Sequence, residues 1–278
     1  EILEKKQFKT TTPEETLGTC VEWLEERQPF NALGIACFGP LDLNPSSKTY
    51  GYITSTPKPG WQQIDVITPF KKFNIPIKLD TDVNGAAIAH QNFWKKPGDP
   101  PRPTCAYVTV GTGVGVGLVV RGEPVHGLSH PEMGHLMVMR KEGDDFPGVC
   151  PFHGGCVEGM VCSGAIAKRA GVEPKDLADL PDSHKVWADI SHYLTHLCIA
   201  IHYTVAPQFI VLGGGIFQRK CLFGMIRDNF GKTVNGYMPY QDDLEGYIRE
   251  SPFGENAGVH GGIAMAVLAS QENKEESK

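Results

Sequence analysis

The sequence lacks any apolar run long enough to cross a membrane, because its longest runs, such as residues 209–212, fall far short of the roughly 20 residues that a bilayer requires. It shows no leading basic and apolar segment of the kind that directs secretion. It also lacks an excess of positive charge, since the formal net charge is −6, which argues against a nucleic-acid-binding surface. We therefore expect a cytoplasmic protein with neither a membrane nor a nucleic acid among its partners.

A disulfide framework is missing as well. Two of the eight cysteines belong to a dense cluster of cysteine and histidine, and the others are scattered along 278 residues. Scattered thiols are typical of proteins in a reducing compartment. The hydrophobic fraction of 41% and the charged fraction of 21% are those of an ordinary globular protein, and the length allows two modest domains or one large one.

The dense cluster has the spacing H-x14-C-x2-H-x2-C and consists of His135, Cys150, His153 and Cys156. Two thiolates and two imidazoles are a ligand set that zinc binds tetrahedrally, and a site closed by four protein ligands is structural. Two carboxylates flank the cluster, those of Glu132 and Glu158. We expect a zinc ion that braces the segment between these carboxylates; the alternative is four unrelated buried side chains.

Strand and helix patterns alternate along the chain. We predict strands over residues 8–12, 32–38, 75–79, 105–110, 114–120 and 209–212. We predict helices over residues 13–27, 63–73, 84–94, 183–205 and 256–269. This alternation indicates an α/β fold with a largely parallel sheet, in which ligands gather at the carboxyl ends of the strands.

Residues 95–103 contain four prolines and a glycine and form the best candidate for a linker between domains. We expect an N-terminal lobe over residues 1–98 and a C-terminal lobe over residues 104–255, which contains the metal cluster. Residues 256–278 are expected to form a helix that packs back on the N-terminal lobe, followed by a tail.

A glycine-rich segment, GTGVGVG at residues 111–117, joins two predicted strands. Glycines there allow a phosphate chain to approach backbone N–H groups, although the same segment is also compatible with a hairpin that binds nothing. It is not a P-loop, because the Lys-Ser/Thr ending and the following helix are missing. A second glycine turn, at residues 213–215, follows a buried strand and suits the close approach of a nucleotide.

Asp82 follows a predicted strand and precedes a predicted helix. A carboxylate in that place can take the proton of a substrate hydroxyl while a phosphoryl group is transferred to it. The same position is equally typical of a helix cap, so that the residue alone leaves both roles open.

Histidines outside the cluster carry less information. His192 and His196 stand at i, i+4 on the long predicted helix, but we find no third ligand for a metal near them in the sequence and expect them to pack or face solvent. His130 lies beside a proline just before the cluster, where it either contacts a ligand or orders the turn.

Nine motifs, in this order along the chain, resemble the ROK family of sugar kinases within the actin-like ATPase superfamily, and most of all its zinc-containing fructokinase branch. They are FGP at 38–40, KTYG at 48–51, TSTPK at 54–58, TDVN at 81–84, GTGVGVG at 111–117, SHPEMGH at 129–135, CPFHGGCVEG at 150–159, LGGG at 212–215 and NAG at 256–258.

The resemblance implies an α/β fold of two actin-like (ribonuclease H-like) lobes with a zinc-stabilised loop, closing on a sugar and ATP. It implies that Asp82 is the catalytic base. It implies a sugar site formed by Gly39, Asn84, Glu132, His135 and Glu158. It implies an ATP site formed by Thr112, Gly113, Gly214, Gly215 and Asn256, with Mg²⁺ bridging the phosphates. We also expect a homodimer.

The function that the resemblance implies is ATP-dependent phosphorylation of a hexose, with fructose converted to fructose 6-phosphate and mannose or glucose as other possible substrates. The alternative is a catalytically impaired sugar sensor or regulator of the same family. The sequence departs from the family at its start, because the hairpin with an acidic residue and a Gly-Gly-Thr-Lys turn is not found. We expect a fragment of a longer protein; the alternative is a natural form that binds sugar but transfers phosphate poorly.

Overall fold

The computed structural model describes residues 2–94, 98–237 and 243–276. The helices are α1 (Pro13–Glu25), α2 (Asp82–Phe93), α3 (Val157–Val161), α4 (Ser163–Ala170), α5 (Val186–Val205), α6 (Cys221–Val234), α7 (Leu244–Tyr247) and α8 (Ala257–Glu276). The strands are β1 (Leu33–Cys37), β2 (Tyr52–Ile53), β3 (Ile64–Asp65), β4 (Ile77–Thr81), β5 (Cys105–Val110), β6 (Val114–Val120), β7 (Glu123–Pro124), β8 (Phe209–Gly213) and β9 (Ile248–Glu250).

Most predicted elements are confirmed to within a few residues. The first helix begins as predicted: the Thr12 hydroxyl accepts a hydrogen bond from the Glu15 N–H, and Pro13 occupies the first turn. The hairpin of β5 and β6 and the buried strand β8 also lie where the sequence predicted them.

Two predicted elements are wrong. Residues 63–73 are not one helix: β3 comes first, and a 3-10 helix (Thr68–Phe73) follows. Gln63 has a positive φ of 58°, and the Asp65 carboxylate accepts hydrogen bonds from Ile67 and Thr68, so a helix cannot start before that turn. Residues 8–12 are not a strand. Backbone groups of Thr11 are hydrogen-bonded to side chains instead of to a neighbouring strand: its carbonyl accepts from the Trp61 indole N–H, and its N–H donates to the Thr16 hydroxyl.

The larger sheet has five strands in the order β7-β6-β5-β8-β9. β5, β8 and β9 run parallel, while β6 and β7 continue the sheet antiparallel as a meander from β5. The smaller sheet pairs β1 and β4 in parallel, with Cys37 opposite Thr81, and β2 and β3 form a short antiparallel ribbon. Parallel pairing places the carboxyl ends of β1 and β4 at one edge.

Helices α2 and α8 form a layer between the two sheets. One face of the larger sheet packs on α3, α5 and α6 through a large apolar core that includes Trp187, Ile210 and Phe230. The other face packs on α2 and α8 through Ala87 and Met265. On its opposite side α8 contacts β1 closely, because a Cβ on Gly34 would lie 1.9 Å from the carbonyl oxygen of Gly262. The predicted division into 1–98, 104–255 and 256–278 stays a prediction.

The predicted linker, residues 95–103, lies partly outside the described residues, which resume at Gly98. Its described part is attached to the larger sheet: the Arg249 guanidinium donates two hydrogen bonds to the Asp99 carboxylate, at 2.9 and 3.0 Å, and both side chains are buried. All eight cysteines are free thiols. Among the described residues, none of the helices is both long enough and apolar enough to cross a membrane.

Candidate active site

Asp82 is the first residue of α2 and lies at the carboxyl edge of the sheet formed by β1 and β4. The helix is capped by the preceding residue: the Thr81 hydroxyl accepts a hydrogen bond from the backbone N–H of Asn84 at 3.1 Å. The capping role that the sequence left open for Asp82 is thus filled by Thr81. The Asp82 carboxylate itself accepts a hydrogen bond from the N–H of Val83 at 2.9 Å.

The Asp82 side chain is in contact with solvent and is at the same time crowded by protein, as expected for a group that lines a cleft. Crowding removes hydration and raises the pKa of the carboxyl above its usual value. The hydrogen bond from the N–H of Val83 opposes this rise in pKa, and the negative charge of Glu132 adds to it. A carboxylate with a raised pKa accepts a proton more readily, which is the property that a general base requires.

Strand β6 brings the start of α2 against the glycine-rich hairpin. A Cβ atom on Gly117 would lie 1.9 Å from the carbonyl oxygen of Val83, so only glycine allows this approach. Gly115 meets the Val83 side chain in the same way. Both glycines lie inside β6, and the turn of the motif is confined to residues 111–113. A phosphate contact can therefore be expected only of residues 111–113.

Asn84 is fully buried, and both ends of its amide are bound to protein. The amide nitrogen donates to Asp80 Oδ1 at 2.8 Å, and the amide oxygen accepts from the N–H of Leu118 at 3.2 Å. Asn84 therefore attaches α2 to β4 and β6. It stands behind Asp82, and its side chain is not presented to the cleft as a sugar-binding group would be.

Glu158 lies against the glycine turn. Its carboxylate accepts a hydrogen bond from the N–H of Val114 at 3.1 Å, and a Cβ on Gly113 would lie 2.7 Å from the same carboxylate oxygen. The next helix is attached to this turn too, since the N–H of Ser163 donates to the carbonyl of Gly111 at 2.8 Å. The structure thus brings together Glu158 of the predicted sugar site and Gly113 of the predicted ATP site.

The four cluster residues converge as the spacing predicted: one ligand atom from each of His135, Cys150, His153 and Cys156 lies within 4.8 Å of all the others. The two sulfurs lie 3.7 and 3.6 Å from His135 Nδ1, and Cys150 Sγ lies 3.7 Å from His153 Nδ1. In tetrahedral zinc sites, bonds of the usual lengths place sulfur and nitrogen ligands about 3.6 Å apart. The four side chains are therefore arranged so that they can hold a zinc ion.

The backbone around the cluster supports this arrangement. Cys150 and Gly154 exchange two backbone hydrogen bonds, which close a tight loop around His153. Cys156 precedes α3, and its sulfur accepts a hydrogen bond from the N–H of Gly159 at 3.5 Å. Such hydrogen bonds orient a metal ligand from outside the coordination sphere. His135 points Nδ1 at the sulfurs, which leaves Nε2 available for another contact.

The second glycine turn lies next to the first. β8 ends at Gly213, opposite Thr109 of β5, so residues 214–215 and 111–113 leave the sheet at the same edge. Gly214 has a φ of +91°, and a Cβ there would lie 2.6 Å from Thr109 Oγ1. Gly214 and Gly215 line a pocket of about 270 Å³ together with residues between β9 and α8, among them Ser251.

Thr112 is exposed at the tip of its turn, as a ligand-binding hydroxyl would be. Asn256 directly precedes α8, and its amide oxygen accepts a hydrogen bond from the Lys5 ammonium. Thr112, Gly113, Gly214 and Gly215 are therefore gathered at one edge of the sheet, whereas the side chain of Asn256 is engaged by the N-terminal segment.

Gly39 lies in the loop after β1, where the Gly39–Pro40 peptide is cis. A Cβ at this position would approach His130 Nε2 to 3.2 Å, so the histidine ring packs on the glycine backbone. His130 is buried; Nε2 accepts a hydrogen bond from the N–H of Leu41 at 3.1 Å, and Nδ1 lies 3.5 Å from Glu132 Oε1. Of the two roles that the sequence left open for His130, the structure supports ordering of the turn.

The sequence reasoning missed a second histidine contact. His126 Nε2 lies 3.0 Å from Asp80 Oδ2, the carboxylate that also binds Asn84. This hydrogen bond raises the pKa of His126 above its usual value. The one available signal was the spacing of His126 and His130, four residues apart before the cluster, which is too weak to indicate a partner in β4, with three strands between them in the chain.

Lys58, the last residue of the TSTPK motif, was given no role of its own from the sequence. Its ammonium lies 4.6 Å from the ring centroid of Phe38 and 5.9 Å from that of Trp61, within reach of a cation–π interaction. Phe38 precedes Gly39, so the cation stands beside the loop that follows β1.

Comparison with known proteins places the chain in a family. The model of the ROK family matches residues 1–271. A fructokinase from Zymomonas mobilis is 42% identical over an alignment of 280 positions, which covers 98% of this chain and 91% of that protein. A fructokinase from Pediococcus pentosaceus is 38% identical and covers 97% and 91%, respectively.

Solved structures agree in fold. The ROK hexokinase from Thermus thermophilus superposes with a TM-score of 0.75 at 22% identity, covering 94% of this chain and 88% of the other. The ROK family glucokinase from Streptomyces griseus, solved with glucose and AMPPNP, gives a TM-score of 0.68 at 19% identity and covers 94% and 89%. The predicted α/β fold of the actin-like ATPase type is confirmed. Since its family model and its relatives both match nearly the whole length, the chain belongs to the ROK family.

Proposed function

We propose that this protein is a fructokinase, which transfers the γ-phosphoryl group of ATP to the 6-hydroxyl of fructose. The relatives named fructokinase, at 38 and 42% identity across nearly the whole chain, support the substrate. The observation that carries the chemistry is the position of Asp82. It starts a helix already capped by Thr81, has a raised pKa, and is held against the glycine-rich hairpin.

In the proposed reaction, the 6-hydroxyl oxygen forms a bond to the γ-phosphorus while the bond from that phosphorus to the β,γ-bridging oxygen breaks. The hydroxyl proton passes to the Asp82 carboxylate, and ADP leaves with the bridging oxygen. Catalysis of this kind depends mostly on positioning and on the stabilisation of charge. Asp82 supplies the base, and α2, seated on β6, fixes where it stands.

The sugar is proposed to lie between Asp82 and the segment that carries Glu132, His135 and Glu158. The Glu132 side chain is half exposed, and its charge is near enough to raise the pKa of Asp82. His135 turns Nδ1 towards the cysteine sulfurs, so that its Nε2 is not used by the cluster. Carboxylates and an imidazole nitrogen are suited to bind sugar hydroxyls. The Gly39 backbone completes the site, while Asn84 supports it from behind through Asp80.

ATP is proposed to lie along the edge where the two glycine turns meet. The turn at residues 111–113 presents backbone groups and the Thr112 hydroxyl to the phosphates, and the pocket beside Gly214 and Gly215 suits the nucleoside. Mg²⁺, bound to the phosphates, would neutralise their charge. Asn256 is also proposed to contact ATP. For this its side chain would have to give up the hydrogen bond from Lys5.

The metal in the cluster is proposed to be zinc in a structural role. The sulfur–nitrogen distances of 3.6 and 3.7 Å support it, as does the closed set of two cysteines and two histidines. The cluster closes the loop between Glu132 and Glu158, so the ion would fix the positions of two proposed sugar contacts. Zinc would take no part in the transfer itself.

The proposed function is tested by supplying ATP and Mg²⁺ to the full chain with fructose, mannose or glucose, each in parallel, and measuring ADP formation with a coupled assay. We expect the highest kcat/KM for fructose. Formation of ADP with glucose or mannose only would overturn the choice of substrate. Sugar binding without ADP formation would instead favour a sensor or regulator.

We further propose a homodimer in a cytoplasmic setting. Free thiols at all eight cysteines support a reducing compartment. Side chains with large exposed apolar surfaces near the cluster support an interface: Met137, Met139 and Phe152 are 70, 73 and 71% exposed. Light scattering after size-exclusion chromatography should give twice the chain mass of 30.4 kDa, and a mass equal to one chain would exclude the dimer.

A further inference from the structure

Two histidines of the segment that leads into the metal cluster contact the far sheet at two neighbouring points. His126 contacts Asp80 in β4, and His130 contacts Leu41 in the loop after β1. β1 and β4 are paired in parallel, with Ala36 opposite Asp80, so both contacts fall at the carboxyl edge of this sheet. Asp82 starts α2 at the same edge.

The two histidines use opposite chemistry. His130 Nε2 accepts a hydrogen bond from the N–H of Leu41, which requires that its proton be on Nδ1, the nitrogen that faces Glu132. His126 Nε2 donates to the Asp80 carboxylate, and this carboxylate favours the charged imidazolium. A single residue type thus provides an acceptor at one point and a donor to a carboxylate at the other.

Because these contacts involve buried groups, breaking them costs free energy. The His130 side chain is only 5% exposed and that of Asp80 only 4%, whereas that of His126 is 35% exposed. Loss of His130 therefore leaves the N–H of the buried Leu41 without this acceptor, and loss of His126 leaves the buried Asp80 carboxylate with only its hydrogen bonds from Thr81 and Asn84. An unsatisfied buried donor or acceptor costs about 1–3 kcal/mol. Asp80 also accepts from Asn84 Nδ2, so the contact of His126 extends to the helix that carries Asp82.

We propose that His126 and His130 form a clasp that holds the segment carrying Glu132 onto the carboxyl ends of β1 and β4, and that they act as positioning residues for the reaction proposed above. The clasp sets where Glu132 and the Gly39 loop stand relative to Asp82. It acts from the opposite end of the segment to the metal cluster. Neither histidine is assigned a contact with sugar or phosphate.

The test for His130 compares His130→Leu, which removes the acceptor, with His130→Gln, whose amide oxygen can accept from Leu41 in the same place. We expect His130→Leu to raise KM for fructose about tenfold, as the loss of one buried acceptor implies, with KM for ATP within about twofold. His130→Gln should recover most of this loss. His196→Leu, on α5, is the matched control and should leave both KM values unchanged. Equal effects of Leu and Gln, or equal changes in both KM values, would overturn the proposal.

A double-mutant cycle tests whether the two histidines act together. If they form one clasp, His126→Leu combined with His130→Leu should raise KM for fructose little beyond either single substitution. Effects that multiply would show two independent contacts and overturn the clasp. The metal content per chain should stay at the wild-type value in all variants, and a loss of metal would assign the effect to the cluster instead.

An exchange experiment separates failure of the clasp from failure of the proposed function. Hydrogen–deuterium exchange of peptides that contain Leu41 should be faster in His130→Leu than in wild type and in His130→Gln, whatever the protein phosphorylates. Unchanged exchange would overturn the clasp, even in an active fructokinase. Faster exchange in a protein that does not phosphorylate fructose would keep the clasp and reject the proposed function.

Discussion

At the scale of single residues, each candidate side chain depends on a neighbour that frees it or holds it. Asp82 is free to act as a base because Thr81 caps the helix. Asn84 looked equally suited to contact sugar, yet its amide is bound on both sides. The residue types in TDVN indicated a functional segment. Which of them serves as base and which as support depends on which side chain faces the cleft, as Asp82 does, and which faces the core, as Asn84 does.

The first prediction concerns Asp82→Asn. Asn keeps the hydrogen bond to the N–H of Val83 but cannot accept the substrate proton, so turnover should fall by about 10²–10⁴-fold, the contribution typical of general base catalysis. Affinity for fructose, measured by calorimetry, should change little. Normal turnover in this variant would remove Asp82 from the mechanism.

The same variant should be at least as stable as wild type. Because the pKa of Asp82 is raised on folding, ionisation opposes folding, and stability falls as the pH rises from the unfolded-state pKa through the folded-state pKa. Asn removes that cost at neutral pH. A thermal unfolding midpoint well below that of wild type would contradict this reasoning.

At the scale of elements, the site is assembled by close contacts between backbones. α2 rests on β6 at Gly117, and α3 rests on the glycine turn through Glu158. The motif at residues 111–117, which the sequence suggested as one phosphate-binding segment, therefore has two parts. Residues 111–113 form a turn, and Gly115 and Gly117 form the surface on which the start of α2 packs. The spacing of glycines in a sequence cannot distinguish these uses, because both require only the absence of a side chain.

The second prediction contrasts glycine substitutions. Gly117→Ala places a Cβ against the carbonyl of Val83 and should both destabilise the protein and reduce kcat, because the start of α2 must move. Gly115→Ala should be milder, since its Cβ would meet a methyl group of Val83 at 2.7 Å rather than the backbone of Val83 at 1.9 Å. Gly224→Ala, at an open position on α6, should raise stability by about 0.5–1 kcal/mol. Chemical denaturation gives the free energy of unfolding of all three variants. Equal changes in the three would contradict the close packing of α2 on β6 at Gly117.

The third prediction concerns the loop between the cluster ligands His135 and Cys150. Burial opposes ionisation of Asp144, but hydrogen bonds from Arg169 and Tyr193 outweigh it and lower the pKa of this carboxyl. The Arg169 guanidinium binds both carboxylate oxygens, at 3.0 and 2.8 Å. Asp144→Asn leaves the buried Arg169 without its partner and should cost about 3–5 kcal/mol of unfolding free energy at pH 7.

The pH dependence of this loss follows from the sign of the shift. A lowered pKa in the folded state contributes stability above the unfolded-state pKa, about 3.9, and that contribution disappears as the pH falls through the folded-state pKa. The difference between wild type and Asp144→Asn in denaturant unfolding should therefore shrink below about pH 4. Lys232→Gln, on α6, serves as a surface control. A constant difference across pH would contradict the ionic origin.

At the scale of the whole molecule, the helix layer of α2 and α8 joins the two sheets, and the segment from Glu123 to Glu158 reaches from one sheet to the other. The cluster closes this segment at one end, and the clasp of His126 and His130 holds its beginning. Glu132 lies between the two. The proposed sugar site therefore depends on contacts at both ends of one long connection.

The fourth prediction concerns removal of the metal. Chelation should lower the thermal unfolding midpoint and weaken fructose binding together, because the cluster holds Glu132 and Glu158 in place. Restoring zinc should reverse both effects, and Cys150→Ser should reproduce them without a chelator. Binding and stability that stay unchanged after the metal has been removed would show that the cluster does not support the sugar site.

The sequence by itself determined most features that depend on local order: the strand and helix patterns outside residues 8–12 and 63–73, the capped start of α1, the hairpin of β5 and β6, and the four cluster ligands, three of which lie within seven residues. Only the tertiary structure decided that Gly117 seats a helix, that Asn84 is buried behind Asp82, and that His126 and His130 reach the other sheet. These contacts join residues as far as 89 positions apart. Periodicity and spacing report on neighbours along the chain, whereas packing chooses partners that only the fold brings together.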